Sequence, residues 1–160
     1  MFFIEGKIPS FNELVFARAI QSPQKLSWLL TKPTKGKKKK TGYAFNEYNK
    51  IKQDWTQKVS AAVKAQGFIP VKACHFHYLI VENTVKRDPS NIVSAAIKFC
   101  EDALMKCKVI ENDGWKDVLG IRPYWILDRE STAGIFLVMA SEPLCQNSIE
   151  SYYNEWKSNH

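Results

Sequence analysis

The chain predicts an α+β fold: a mixed β-sheet with helices packed on one face, in the order β-α-α-β-α-β-β. Three observations carry that expectation. Segments rich in β-branched and aromatic residues are interleaved with segments whose apolar residues recur every three and four positions. Pro, Gly, Asn and Asp punctuate the boundaries between them. The 160 residues, 45% hydrophobic and 24% charged, suffice for a single domain over 1–160 whose core needs no staples.

Phe2 to Ile8 reads as the first strand, stopped by Pro9 and Ser10. Phe11, Leu14, Val15, Ala17 and Ile20 then mark a short amphipathic helix that Ser10 or Asn12 can cap. From Thr31 to Thr41 there is no apolar residue, and both Pro33 and Gly36 intervene, which predicts a mobile exposed loop within the domain. Phe45 to Ala65 is the longest helix. Tyr48, Ile51, Trp55, Val59, Ala62 and Val63 form its apolar face, and Gly67 ends it. Pro70 opens a strand over Val71 to Val81, with Cys74, Phe76, Tyr78 and Ile80 on one face and the odd positions on the other.

Asn91 to Lys106 is the next helix, burying Ile92, Ala95, Ala96, Phe99, Ala103 and Leu104. A turn spans Asn112 to Gly114. Leu119 to Leu127 and Gly134 to Ala140 read as two antiparallel strands joined through Asp128 to Thr132 as a hairpin. Ser148 to Lys157 forms a terminal helix whose Tyr152, Tyr153 and Trp156 pack on the body or on a partner subunit.

The net charge of +7 is unevenly spread. Residues 1–70 hold 13 Lys/Arg against 4 Asp/Glu, whereas residues 71–160 hold 10 against 12. A polyanion would therefore meet the first half, and a cation the second. The opening Met-Phe-Phe-Ile is interrupted too soon by Glu5 and Lys7 for a signal segment, and no apolar run reaches membrane length. A soluble cytoplasmic protein without a membrane partner is expected. Cys74, Cys100, Cys107 and Cys145 contain no CxxC pair and read as reduced, mostly packed thiols.

The chemistry is concentrated in Lys86-Arg87-Asp88-Pro89-Ser90-Asn91 and in the helix and turn after it. Asp88 stands just past a strand end, Pro89 stops that strand, and Asn91 is placed to begin a helix. Lys98 lies seven residues after Asn91, hence on a similar face, and Asp113 comes in the next turn. Carboxylates suit a hard divalent cation, and an ammonium suits a phosphate oxygen or leaving group. Taken singly, Asp88 and Asn91 are ordinary helix-start residues, Asp113 a turn former and Lys98 a solvated lysine.

Their order resembles the RusA-type Holliday junction resolvases. Arg87-Asp88-Pro89-Ser90-Asn91 is similar to the family's basic residue followed by Asp-x-Asp-Asn, with Ser90 at the position of the second aspartate. Lys98-Phe99-Cys100-Glu101-Asp102-Ala103-Leu104 is similar to its Lys-x-x-x-Asp-Ala-Leu, and Asn112-Asp113 takes the place of its downstream acidic pair. Ile8-Pro9-Ser10-Phe11-Asn12 is similar to its Pro-Pro-Ser-x-Asn segment. The Asn91 to Lys98 interval is one helical turn longer than the family's, which preserves the face of the lysine. In all, the resemblance spans about residues 2–140.

The resemblance implies a homodimeric, Mg²⁺-dependent endodeoxyribonuclease, with Mn²⁺ able to substitute, that nicks branched DNA in recombination and repair in a bacterial or phage-infected cell. It implies Asp88 and Asp113 as metal ligands, supported by Ser90 and Asn91, with Asp88, Lys98 and Asp113 catalytic. Asn12 and Arg87 would contact DNA. Ser90 lacks the charge of a carboxylate, so the alternative is a junction-binding protein of the same fold with impaired catalysis, unless Glu101, Asp102 or Glu111 substitutes. A structural protein without DNA contact is the third class, marked by the absence of salt-dependent DNA binding.

Lys32, Lys35, Lys37, Lys38, Lys39 and Lys40 offer a salt-sensitive phosphate clamp, and Tyr43, Phe45 and Tyr48 offer faces for unpaired bases. His75 and His77 share a strand face at i,i+2. Without a third ligand they read as structural histidines.

Overall fold

The computed structural model describes residues 1–9, 44–67 and 69–159. The helix expected over 11–20 lies outside the described residues. So do Asn12, Lys32, Lys35, Lys37, Lys38, Lys39, Lys40 and Tyr43, and the side chains of Phe45 and Tyr48. Among the described residues the elements are β1 (Phe2–Glu5), α1 (Ala44–Ala65), β2 (Cys74–Glu82), α2 (Pro89–Lys106), β3 (Val118–Leu127), β4 (Gly134–Ala140) and α3 (Gln146–Ser158). The architecture is α+β, built on a four-stranded mixed sheet.

The strand order is β1-β4-β2-β3. β2 is buried along nearly its whole length on both faces, as a central strand must be. It pairs antiparallel with β4, Tyr78 opposite Leu137, and parallel with β3, Phe76 opposite Ile121. The expected hairpin between the last two strands is therefore corrected: β3 and β4 flank β2 on opposite sides. A parallel neighbour needs a long crossover, and α2 supplies it between β2 and β3. After β3 the chain passes the end of β2, where the Asp128 N–H donates to the Glu82 carbonyl at 2.9 Å. β2 also begins later than expected, because Ala73, at a φ of 50°, leaves the extended region.

The helices lie on both faces of the sheet, a second correction. On one face Trp55, Val59 and Val63 of α1 and Ile92, Ala96, Phe99 and Leu104 of α2 close over Phe76, Tyr78, Ile80 and Leu137. On the other, Ile149 and Tyr153 of α3 cover Leu79, Val81, Phe136 and Val138. The alternation of β2 explains this. Its odd positions are as apolar as its even ones, so a single helical layer would leave Leu79 and Val81 in water.

α3 is latched as well as packed. Trp156 meets Phe3 of β1 with ring centroids 4.6 Å apart. The Tyr153 hydroxyl is hydrogen bonded to Asp128 Oδ2 at 3.1 Å and to Ser131 Oγ at 2.9 Å. The terminal helix thus packs on its own body. On the opposite layer α1 stops at Gly67, whose φ of 63° favours glycine. All four cysteines are free; Cys74 and Cys100 are buried and Cys107 packs against the core, as expected of packed thiols, whereas Cys145 is exposed.

Candidate functional site

The end of β2 and the start of α2 are joined by ionic contacts that the sequence places only in part. The Arg87 guanidinium donates to Glu82 Oε1 at 2.6 Å and to the Ile8 carbonyl, so it faces into the fold and ties the chain after β1 to the β2–α2 turn. Burial pushes the Glu82 carboxyl up, against the opposing pull of Arg87 and Lys7.

Asp88 is the N-cap of α2, in extended conformation, followed by Pro89 in the first turn. Its Oδ1 accepts from the Ser90 N–H at 3.0 Å and from the Ser90 hydroxyl at 2.7 Å; its Oδ2 accepts from Asn91 Nδ2 at 3.1 Å. Asp88, Ser90 and Asn91 therefore form one exposed cluster. Ser90 donates a hydroxyl to the carboxylate where a second aspartate would repel it.

Further along α2, Lys98 is half exposed and binds Asp102 Oδ1 at 2.8 Å, with Asp113 Oδ2 at 3.7 Å. Asp102 also takes Lys52 of α1 at 2.7 Å. The structure thus brings Lys98 and Asp113 together. The hydrogen bond from Lys98 to Asp102, aided by the charges of Asp102 and Asp113, raises the Lys98 pKa despite partial burial. Burial would lift the Asp102 carboxyl, but its bonds to Lys52 and Lys98 outweigh this and hold it below its usual range. Glu101, 8% exposed, is raised by burial first and by the Asp113 charge second.

Ten residues of helix, a rise of about 15 Å, separate the backbone of Asp88 from that of Lys98. The two carboxylates that the sequence picks out stand in different surroundings, one on a helix cap and the other beside a lysine. Among the described residues no three His, Cys, Asp or Glu side chains stand close enough to share a metal ion. This donor set fits no closed metal cage. It suits only a cation held through one or two carboxylates and its own waters, the mode Mg²⁺ prefers.

Between α2 and β3 the turn carrying Asp113 is firmly built. The buried Asp117 accepts the Asn112 N–H at 2.7 Å, and the Asp117 and Val118 N–H groups donate to the Gly114 carbonyl at 3.1 and 3.0 Å. Sequence reasoning named Asp102 only as a substitute carboxylate, although its i,i+4 spacing from Lys98 was a local signal for the pair. It missed Lys52, which had no such signal, since it arrives from another helix. Trp115 stood out only as the one apolar side chain from Glu111 to Asp117.

On the other face of the sheet His77 is fully buried, and its Nε2 accepts the Leu144 N–H at 3.3 Å. Its ring lies parallel to that of Tyr124, which agrees with a structural role. No described helix is long and apolar enough to cross a membrane. No protein-family model matches the chain, and neither a curated protein nor a solved structure matches it.

Proposed function

We propose that the protein is a RusA-type, Mg²⁺-dependent endodeoxyribonuclease that nicks branched DNA, acting as a homodimer. The observation that carries the reading is the pairing of Lys98 with Asp113 at 3.7 Å, residues fifteen apart that belong to the same ordered set of motifs. Mg²⁺, held at Asp113 largely through its own waters, would supply an activated water and neutralise phosphate charge, while Asp88, at the far end of the same helix segment, would not share that ion. Lys98, already exposed, is placed to meet a non-bridging phosphate oxygen. Asp102 orients that ammonium, and Asn91 with Ser90 orients the Asp88 carboxylate.

Purified protein with a labelled four-way junction and Mg²⁺ is expected to yield paired nicks that disappear in Asp113→Asn. Loss of cutting in Asp113→Asn, with junction binding retained, locates the defect in chemistry. Failure to cleave with Mg²⁺ or Mn²⁺ rejects the nuclease reading.

A second reading, a junction-binding protein without cleavage, is favoured by one contact: the Ser90 hydroxyl occupies Asp88 Oδ1 at 2.7 Å. Ser90→Asp removes that donor and adds a carboxylate, so on this reading it confers cleavage on a protein that otherwise only binds. Equal inactivity of wild type and Ser90→Asp, with junction binding intact, would show that the missing carboxylate is not the cause.

A further inference from the structure

Trp115 is 96% exposed, more than any other large apolar side chain among the described residues. An indole so placed forgoes the burial that usually holds tryptophan in a core. Its turn is nevertheless fixed by the Asp117 and Gly114 hydrogen bonds, and the Asp117 carbonyl accepts the Cys74 N–H at 3.0 Å, anchoring the turn to β2. A built turn therefore presents a flat apolar face to solvent.

That face borders a hollow of about 660 Å³ also lined by Lys72, Lys116, Glu111 and Asn112. Two lysines stand there against two carboxylates, Glu111 and Asp117, so the hollow holds no net charge with which to select a phosphate. What suits it is a flat, uncharged ring with a polar edge: the indole meets the ring face, while Asn112 and the lysines meet edge acceptors.

We propose that Trp115 is the stacking platform for an unpaired nucleobase of bound DNA. This rests on the reading of the chain as a branched-DNA protein, and it names what that site reads: a base freed from pairing at the branch. At most about 7 Å of chain separates residues 113 and 115, so a base stacked on the indole keeps its own phosphates close to Asp113 and Lys98.

The test compares wild type, Trp115→Ala and Trp115→Phe on a four-way junction with unpaired thymines at the crossover and on a fully paired duplex of equal length. Trp115→Ala is expected to weaken junction binding roughly ten- to hundredfold, Trp115→Phe by only a few-fold, and neither to change duplex binding. Oligothymidine should quench tryptophan emission in the wild type and much less in Trp115→Ala. Because the side chain is exposed, the thermal midpoint should not move.

Unchanged junction affinity in Trp115→Ala overturns the inference while leaving DNA binding intact. Absence of DNA binding in the wild type removes the underlying reading, and this inference with it. If sedimentation shows instead that Trp115→Ala converts a dimer to a monomer, the indole belongs to an interface between copies and the inference falls alone.

Discussion

Asp88 already serves as a helix cap, a role with which the binding of a cation would compete. As N-cap it satisfies the Ser90 N–H, and Asp88→Ala is expected to cost about 1 kcal/mol in urea unfolding. The capping role is legible in Asp-Pro-Ser-Asn, because capping acts over two or three residues. Arg87 is the contrary case: its carbonyl partner, Ile8, is 79 residues away, and no local pattern announces it.

His77 supplies a prediction in pH. Burial, then the charge of Arg122 and later that of His75, lowers its pKa below the usual 6.5, with the Glu142 backbone partly opposing. The unfolded chain therefore binds the proton more readily than the folded one. The stability from neutral His77 is complete above about pH 6.5 and is lost as pH falls through the lowered folded value. Thermal midpoints should drop between pH 7 and pH 5, and His77→Gln, which keeps an acceptor for the Leu144 N–H, should flatten that slope. An equal slope in the variant would assign the acid sensitivity elsewhere.

Among the elements, α3 is the one whose placement decides most. Ile149 is fully buried against the second face of the sheet, and Ile149→Ala is expected to cost about 3 kcal/mol. Protease cleavage within α3 should rise in step. Tyr153→Phe removes the hydroxyl bonds to Asp128 and Ser131 and should cost about 1 kcal/mol. At the other edge, a Cβ on Gly134 would stand 2.6 Å from the Ile4 carbonyl oxygen, so Gly134→Ala should weaken the β1–β4 pairing. The helices and strands among the described residues were legible to within a few residues. Trp55, Val59 and Val63, or Cys74 and Phe76, show their period within a turn or two of chain. Strand partners were not legible, because β3 and β4 carry no mark that β2 will come between them.

For the whole molecule the informative quantity is charge asymmetry. If the first half meets DNA, the logarithm of the affinity should fall linearly with the logarithm of salt concentration. Replacing Lys37, Lys38, Lys39 and Lys40 together by Gln should reduce that slope by about 0.9 for each phosphate no longer neutralised. An unchanged slope would take the lysine run out of the interface. The candidate site was legible in the same uneven way. Lys98, Asp102 and Asp113 were all visible in the motif order, but Lys52 was not, and neither was the return of Asp113 to Lys98 rather than to Asp88, which sets the two carboxylates in separate surroundings.

By itself the sequence determined the α+β class, the approximate extent of the described elements, the helix cap and the polar turn, since periodicity, capping and turn chemistry act within a few residues; the end of β1 and the start of β2 it placed three residues away. Only the tertiary structure decided that β3 pairs with β2, that α3 covers the second face, that Arg87 turns inward and that Lys98 meets Asp113. Those outcomes depend on burying both faces of one central strand and on contacts between residues far apart in the chain, where no local pattern can select among partners.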